Sequence, residues 1–393
     1  MKRLLIGAIC VAVAVASSAA QRVPVREQTL TDHKNGSAGL LFSRDGTRLA
    51  VTSGSGAKRR ISIWNAASGR LLATLNPGPR GVAVQFSPGG SYLATSTRNG
   101  NAAIWKTGSG KAVPPCCLES VLFGPDDQSA LVRSRGVTRV VHLERRGEGK
   151  PVPISQAVGT GGTFLAVTGE GAVQAWQWSP LALRGQLGRL SGGSVIQRSD
   201  FSRDGCVVIT STASPPTEVQ VWDVCRNRSL GIAKGDPFVS EQAALGRDGS
   251  LLLTTDGDLV RVYHIGSSTA PTAVKMGGTV AAVNSDASRL AVWTDDVLEL
   301  REAVQGHLIA KLPRFEERPA VRFSPDSRWL VTVLEFESAR LWDAQSGKKV
   351  AAFGTAGESR SVILAVFSPE GARLALALRD GTVELWSLKS LLP

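Results

Sequence analysis

Phe323-Ser324-Pro325-Asp326-Ser327 is one copy of a short phrase that recurs through the chain and decides its fold. Proline presets φ for a tight turn, aspartate and serine bond to nearby backbone groups, and glycine in related copies permits positive φ. The other copies share an apolar first residue and a turn after it: Phe42–Gly46, Phe86–Gly90, Phe123–Asp127, Phe201–Gly205, Leu245–Gly249, Val283–Ala287 and Phe367–Gly371.

The spacing of these copies is regular, with a mean of about 41 residues between Phe42 and Phe367. One gap, from Phe123 to Phe201, is twice as long, and Phe164–Thr168 supplies the second strand of a degenerate copy whose first position falls at Val158. Nine repeat units are therefore predicted, and a period of this length is typical of solenoids and propellers.

Each unit has the pattern of a small antiparallel sheet. A strand ends at the phrase, the turn reverses the chain, and a second strand such as Arg48–Thr52 follows. A third strand alternates and ends in an aromatic residue, as in Ile61–Trp64, and Arg70–Leu75 forms a fourth. Four strands per unit predict an all-β protein.

These residues resemble the WD40-repeat family, through the Phe-Ser-Pro-Asp-Gly turn and the Trp-Asp pairs at Trp222-Asp223 and Trp342-Asp343. The resemblance implies a β-propeller of four-stranded blades around a central channel. Nine units favour one large closed ring, and seven to nine blades are compatible with the count. Two smaller propellers are the alternative, although no Pro-, Gly- or Ser-rich linker separates two sets of units.

Closure of the ring can also be predicted. The last unit ends at Trp386–Pro393 with room for only three strands, whereas Val23–Leu30 precedes the first unit without a partner. We expect this N-terminal segment to supply the missing outer strand, where Pro24 costs little and no sheet edge is left open. The propeller domain would then span residues 21–393.

In the family, a histidine, a serine or threonine, an aspartate and the closing tryptophan often form a buried hydrogen-bonded set. No unit here has all four, and His142, Tyr263 and Arg301 replace tryptophan at the closing position. We therefore expect the blades to be held mainly by apolar packing.

Residues 1–20 have the pattern of a cleavable export signal. Lys2 and Arg3 precede an apolar stretch at 4–16, and Ser18-Ala19-Ala20 are small residues of the kind found before a cleavage site. The stretch is too short for a membrane anchor, and Cys10 does not follow the pattern of a lipid attachment site. The sequence predicts a periplasmic or secreted bacterial protein with no membrane span in its mature form.

The chain is basic, with 45 Lys and Arg against 33 Asp and Glu and a formal net charge of +12. Such a charge favours anionic surfaces in a salt-dependent way. The clusters Lys58–Arg60, Arg145-Arg146 and Lys348-Lys349 are separated along the chain, so both dispersed surface charge and a focused anionic site remain open.

Four cysteines follow the signal. Pairing the second and third strands of their unit about the loop 213–218 places Cys206 opposite Cys225, which predicts a disulfide in an oxidising compartment; two free buried thiols are the alternative. Cys116 and Cys117 are neighbours, either free or linked to another chain.

Nothing in the sequence assembles a catalytic, cofactor or metal site. His33, His142, His264 and His307 are far apart, no Cys-x-x-Cys occurs, and Gly159–Gly162 lacks the lysine of a phosphate loop. No cofactor or metal is predicted, although carboxylates from several blades could still converge at the channel.

The leading hypothesis is a non-enzymatic scaffold outside the cytoplasm that binds a protein or peptide. A hydrolase or lyase at the channel and a binder of an anionic polymer are the alternatives, and no nucleic acid is expected. The family resemblance implies a binding rim formed by the loops between second and third strands and those entering the first strand. Its candidate contacts are the basic residues Lys58, Arg59, Arg60, Arg98, Arg135 and Arg379.

Overall fold

The computed structural model of the chain describes residues 23–31, 37–54, 58–78, 82–97, 101–145, 149–159, 162–190, 195–202, 204–212, 218–234, 244–246, 248–267, 270–334, 337–354 and 360–391. Within these ranges the chain is built from β-strands, with one short 3-10 turn at Lys389–Leu391. The predicted signal segment, His33, Arg98 and the loop 213–217 lie outside the described residues.

The strands form nine four-stranded antiparallel sheets in the described part of the chain, each a meander of strands a, b, c and d. These sheets are the blades of a β-propeller, and strands a of neighbouring blades contact each other around the channel. Blades 1 to 4 contain β2 (Ser37–Phe42), β3 (Arg48–Ser53), β4 (Arg60–Asn65), β5 (Leu71–Leu75); β6 (Val82–Phe86), β7 (Tyr92–Thr97), β8 (Ala102–Lys106), β9 (Ala112–Leu118); β10 (Ser120–Phe123), β11 (Ser129–Ser134), β12 (Val137–His142), β13 (Pro151–Val152); and β14 (Gln156–Val158), β15 (Thr163–Val167), β16 (Ala172–Gln177), β17 (Ala182–Arg189).

The remaining blades repeat this order, and the first strand of the chain belongs to the last blade. Blades 5 to 9 contain β18 (Ile196–Phe201), β19 (Val207–Thr212), β20 (Glu218–Asp223), β21 (Arg228–Lys234); β22 (Ala244–Leu245), β23 (Leu251–Asp256), β24 (Leu259–His264), β25 (Thr272–Lys275); β26 (Thr279–Val283), β27 (Arg289–Thr294), β28 (Val297–Glu302), β29 (Leu308–Lys311); β30 (Ala320–Phe323), β31 (Trp329–Val333), β32 (Ala339–Asp343), β33 (Lys349–Phe353); and β34 (Val362–Phe367), β35 (Arg373–Leu378), β36 (Val383–Ser387) with β1 (Val25–Leu30).

The N-terminal strand closes the ring, as predicted. β1 pairs antiparallel with β36, from Val25 opposite Ser387 to Leu30 opposite Val383. Leu30 is almost fully buried, and the Glu27 carboxylate lies 2.9 Å from the Arg373 guanidinium on β35. Strand d of blade 9 therefore comes from the opposite end of the chain, so closure ties the two termini together.

Apolar clusters fill the spaces between blades all the way round the ring. The cluster between the last and first blades contains Leu30, Phe42, Leu49, Ala375 and Leu385, and equivalent clusters lie between every other pair of neighbours. The described blades thus form one ring, and the alternative of two smaller propellers is wrong.

The recurrent phrase forms the turn between strands a and b. Ser43 Oγ donates to Asp45 Oδ1 (2.5 Å) and accepts the N–H of Arg48 (2.9 Å), and Ser324, Asp326 and Trp329 repeat the arrangement in blade 8. Gly46, with φ of 68°, takes the left-handed position for which glycine is best suited. Three polar groups of the turn are therefore satisfied inside it.

Tryptophan at the end of strand c finds an acceptor at one fixed place in the blade. The indole N–H of Trp105, Trp222 and Trp342 donates to a threonine of strand b at 2.8 to 2.9 Å. In blade 9 strand b has Leu376 there, and Trp386 instead donates to Glu384 (3.0 Å), which lies opposite Leu376. Part of the family's polar set thus persists without histidine.

Two positions in the predicted repeat are wrong by one residue. In blade 3, Ala130 pairs with Val141, so Val141 and not His142 stands at the closing position. In blade 4, Val158 pairs with Leu165, which places Gly159 rather than Val158 level with Phe164. Strand c of blade 3 and strand a of blade 4 lack the aromatic residue found at the equivalent position in most other blades. The sequence therefore did not determine the register of these two strands.

Arg301 occupies the tryptophan position of blade 7 and makes the same kind of contact. Its Nε and Nη2 donate to Glu299 Oε2 at 2.9 and 2.6 Å, and Lys311 Nζ lies 2.9 Å from the other carboxylate oxygen. The Glu299 side chain is 4% exposed. Burial raises the pKa of Glu299. The hydrogen bonds and positive charges of Lys311 and Arg301 have the larger, opposite effect, so the pKa lies below its ordinary value.

Because Arg301 supplies two donors to a buried carboxylate, Arg301→Ala should lower the free energy of unfolding by about 3 kcal/mol. Arg301→Trp should cost much less, since Trp386 in blade 9 reaches the glutamate two residues before it. Urea unfolding at pH 7 measures both variants. If the two variants lose the same free energy of unfolding, the hydrogen bond to Glu299 does not contribute to stability at this position.

Candidate interaction surface

The meander gives the propeller two unlike faces. The b–c loops and the connections from strand d to the next strand a lie on one, here called the loop face; the a–b and c–d turns lie on the other, the turn face. The hydrogen-bonded turns are short and self-contained, whereas the loops vary in length and sequence. Variable loops on a rigid scaffold are where binding residues concentrate.

The rim cations predicted from the sequence lie on the loop face where the structure describes them. Lys58, Arg59 and Arg60 form the end of the b–c loop of blade 1, Arg135 lies in that of blade 3, and Arg379 follows strand b of blade 9. They occupy three separate blades and do not converge on one point. Arg135 has a φ of 50° and, with Gly136, makes a two-residue turn that holds it in solvent.

Exposed carboxylates are numerous on the loop face of blades 6 to 8, where Arg314 and Arg318 lie among them. Asp258, Asp295, Asp296, Glu316 and Glu317 are all exposed there. Arg314 pairs with Asp296 (2.5 Å) at the surface. These carboxylates are here called the acidic arc; exposed Asp380 lies next to Arg379 in blade 9, so both charges occur around the loop face.

An aromatic wedge orders the connection between blades 7 and 8. Phe315 is buried, and its ring meets Trp293 and Trp342 edge-on with centroids 5.7 and 6.4 Å away. Arg340 lies over Phe315 at 5.6 Å and pairs with Glu337 (2.8 Å). The acidic arc is therefore carried on a packed support.

A cleft opens on the loop face between blades 3 and 4, with a volume of about 610 Å³. Its walls include Val137 and Pro153 from blade 3 and Glu170, Gln174 and Gln186 from blade 4. Strand d of blade 3 and strand a of blade 4 are short, with two and three residues, and this leaves the space between the blades open. The volume lies in the range of small-molecule and peptide side-chain pockets.

The blade 3 wall of the cleft is fixed by hydrogen bonds. Arg133 Nε lies 3.0 Å from the Glu119 carboxylate, and its Nη1 donates to Ile154 O (3.3 Å). Thr138 Oγ1 donates to the same carbonyl (2.5 Å), while the other Glu119 oxygen accepts the N–H of Gly136 (2.8 Å). The wall is thus preorganised, which limits the entropy lost when a ligand binds.

Among the described side chains of the strands around the channel, Asp200 is the single carboxylate, and Arg322 lies three blades away. Arg198 lies two residues before Asp200 on β18, and its side chain is outside the described residues. Burial raises the pKa of Asp200, although the N–H groups of Phe201 and Leu245 partly oppose the shift. Among the described residues no three His, Cys, Asp or Glu side chains gather as metal ligands.

Cys206 and Cys225 are joined in the structure, with sulfurs 2.08 Å and Cα atoms 5.1 Å apart. The predicted strand register is wrong by one residue: Val207 pairs with Asp223, and Cys206 O accepts the N–H of Val224. Cys225 therefore lies in the turn after β20 and reaches back to the start of β19. The side chains of Cys116 and Cys117 lie outside the described residues.

The cleft and the Phe315 wedge were missed from the sequence. Both depend on how neighbouring blades meet, and the residues that form them are far apart along the chain. One signal of the unusually short strands β13 and β14 is present in the sequence: the repeat there is degenerate and lacks the recurrent turn phrase.

The fold and its loop face define a propeller of the kind that presents interaction loops on a rigid ring. The WD domain, G-beta repeat family matches residues 69–106, which include strand d of blade 1 and strands a to c of blade 2. Residues of this chain are 42% identical over 73 positions to an uncharacterized WD repeat-containing protein, sll1491, of Synechocystis sp.. That match covers 18% of this chain and 20% of the relative, so the chain spans about a fifth of the relative's length in the alignment.

Among solved structures, the chain is similar to the computationally designed Ika8 protein. The alignment has 16% identity and a TM-score of 0.46 and covers 92% of this chain and 99% of that one. The chain is thus a nine-bladed propeller in which residues 69–106 match the WD40-repeat family and a stretch of 73 residues is similar to a cyanobacterial WD-repeat protein. In the described part of the chain, no helix is long and apolar enough to cross a membrane.

Proposed function

We propose that this protein is a non-enzymatic scaffold that docks a protein or peptide on its loop face, with the cleft between blades 3 and 4 as the anchoring site. WD40 propellers generally act in protein interactions. The observation that carries the proposal is the cleft itself, because it combines a preorganised polar wall with an exposed apolar residue, Val137, at its mouth.

The chemistry of the cleft suits a peptide better than a reacting substrate. The Arg133 side chain is already engaged by Glu119 and Ile154, and Gln174 accepts the indole N–H of Trp176 (2.9 Å). Exposed Glu170 and Gln186 can still bond to main-chain amides of a ligand, while Val137 and Pro153 offer apolar contact. Such a mixture of apolar surface and a few oriented polar groups is typical of specific binding sites.

Blocking the cleft should abolish binding of the partner. We expect mature tagged protein to retain a defined protein from its own cell-envelope extract after a high-salt wash, and the variant Val137→Arg/Gln186→Arg to lose it. Leu71→Arg is the matched control, because Leu71 on β5 is as exposed as Val137 (38% against 37%) but distant from the cleft. Mass spectrometry of the retained proteins measures the difference.

Retention of the same protein by the blocked variant, or its loss from the control, would contradict the docking site. Retention of small substrates or their turnover by the wild type would instead favour the channel-based enzyme.

We further propose that the scaffold acts outside the cytoplasm, in a bacterial periplasm or beyond. The support is the charged, apolar and small-residue order of residues 1–20 together with the Cys206–Cys225 disulfide, a bond that persists in oxidising compartments.

Export predicts that the protein purified from its native cells begins at Gln21 and is recovered in the periplasmic or culture fraction. N-terminal sequencing of each fraction tests this, and an Ala20→Arg variant should accumulate unprocessed, since the cleavage site needs a small residue. A wild-type protein that retains Met1–Ala20 in the cytoplasmic fraction would overturn the proposal.

A further inference from the structure

Lysine and arginine outnumber carboxylates on the outermost part of the propeller. The outer strands and the c–d turns that lead into them form the circumference, here called the outer wall. Every blade contributes at least one lysine or arginine to the described part of this wall: Arg26, Arg70, Lys111, Arg145, Lys150, Arg184, Arg189, Arg226, Arg228, Lys275, Lys311, Lys348 and Lys349. The two carboxylates described there are Glu27 and Glu144.

Both of these carboxylates are already engaged. Glu27 Oε2 lies 2.9 Å from Arg373 Nε on strand b of its own blade. Glu144 is hydrogen-bonded to the Tyr92 hydroxyl, and burial together with this carboxylate raises the pKa of Tyr92. Glu27 is therefore paired with a cation inside its blade, whereas Glu144 keeps its negative charge next to Arg145 in the sequence.

Some cations of the wall reach buried carboxylates of strand c and remain in solvent. Lys311 pairs with Glu299 at 2.9 Å and Arg26 with Glu384 at 3.0 Å, yet their side chains are 61% and 50% exposed. The exposed cations Arg70, Lys111, Arg145, Lys150, Arg184, Lys275, Lys348 and Lys349 have no ion pair with a described residue. Most of the wall's positive charge is thus available to a ligand.

The carboxylates of the a–b turns lie further in and bond mainly within those turns. Three others, Asp223, Glu302 and Asp343, lie at the ends of strands c, where Asp223 pairs with Arg226 and Arg228 and Glu302 with His307. Asp45 accepts from Ser43 and Thr47, and Asp248 accepts from the N–H and hydroxyl of Ser250. The N–H and hydroxyl of Ser250 hold the pKa of Asp248 below its ordinary value. An anion that contacts the circumference does not have to pass the carboxylates of the a–b turns, whereas Glu302 is exposed beside the wall in blade 7.

We propose that the outer wall binds a flexible, linear anionic polysaccharide that follows the circumference of the ring. The wall is convex and its cations recur once per blade or more, so a chain with an anionic group on successive sugars can meet several of them in turn. A flexible polymer follows such a curve at little cost, whereas a DNA duplex is stiff over about 150 base pairs and would have to be bent. The binding is electrostatic and weakens with salt.

This inference goes beyond the scaffold function and uses other residues. The protein or peptide partner is assigned to the loop face, and the polysaccharide to the wall at right angles to it. Each can therefore fail without the other, and the protein would tether its loop-face partner to an anionic polymer.

Dextran sulfate, with neutral dextran as the uncharged comparison, tests the wall by isothermal titration calorimetry at low and high ionic strength. The wall variant is Arg70→Gln/Lys111→Gln/Lys150→Gln, on consecutive blades 1 to 3. The matched control is Lys58→Gln/Arg60→Gln/Arg135→Gln, which removes the same charge from the loop face of blades 1 and 3. Thermal unfolding verifies that both variants are folded.

We expect the wild type to bind dextran sulfate and not dextran, the wall variant to bind about tenfold more weakly, and the loop-face control to stay within about twofold of the wild type. Binding should disappear at high salt. Equal losses in the two variants would show that net charge alone decides, and tighter binding of a short DNA duplex than of dextran sulfate would assign the wall to another polyanion; either result overturns the proposal.

Discussion

The pairing of β1 with β36 is the constraint on which the rest of the structure depends. Each blade buries one face against the blade before it and the other against the blade after it. An open ring would therefore expose two apolar faces at once, one on blade 9 and one on blade 1. Strand β1 prevents this by joining the end of the chain to its beginning through backbone hydrogen bonds, with Leu30 inserted into the cluster shared by the two blades.

The same geometry explains where charged residues and variable loops lie on the surface of the propeller. Strands b and c are largely buried on both sides and supply the apolar clusters, and the buried carboxylates Glu299 and Glu384 on strands c are each paired with cations. Asp45 and Asp248 bond within their own a–b turns, and Asp127 accepts from the turn of the neighbouring blade 2. Every blade has at least one cation on its outer strand or c–d turn, and the loop face varies from blade to blade. The cleft arises where that variation has shortened β13 and β14.

Features that recur in every repeat unit could be predicted from the sequence, whereas features in which a unit departs from the repeat could not. The Ser-x-Asp turns, the four strands and the closing strand all follow from local patterns, because each is made by residues a few positions apart. Val141 and Gly159 were misplaced where the marker aromatic is missing. The register of Cys206 and Cys225 slipped because the length of the loop between their strands does not determine the pairing. The cleft and the Phe315 wedge depend on contacts between blades, which a single repeat does not contain.

Closure by β1 is tested most directly with two substitutions on that strand, followed by thermal unfolding and amide hydrogen exchange. Leu30→Asp places a charge in the cluster between blades 9 and 1, whereas Val25→Asp lies on the same strand at a residue that is 54% exposed. We predict that Leu30→Asp costs more than about 3 kcal/mol and that the amides of β36 and β2 lose protection, while Val25→Asp changes stability by less than about 0.5 kcal/mol. Unchanged protection of β36 in Leu30→Asp would contradict the central role of this strand.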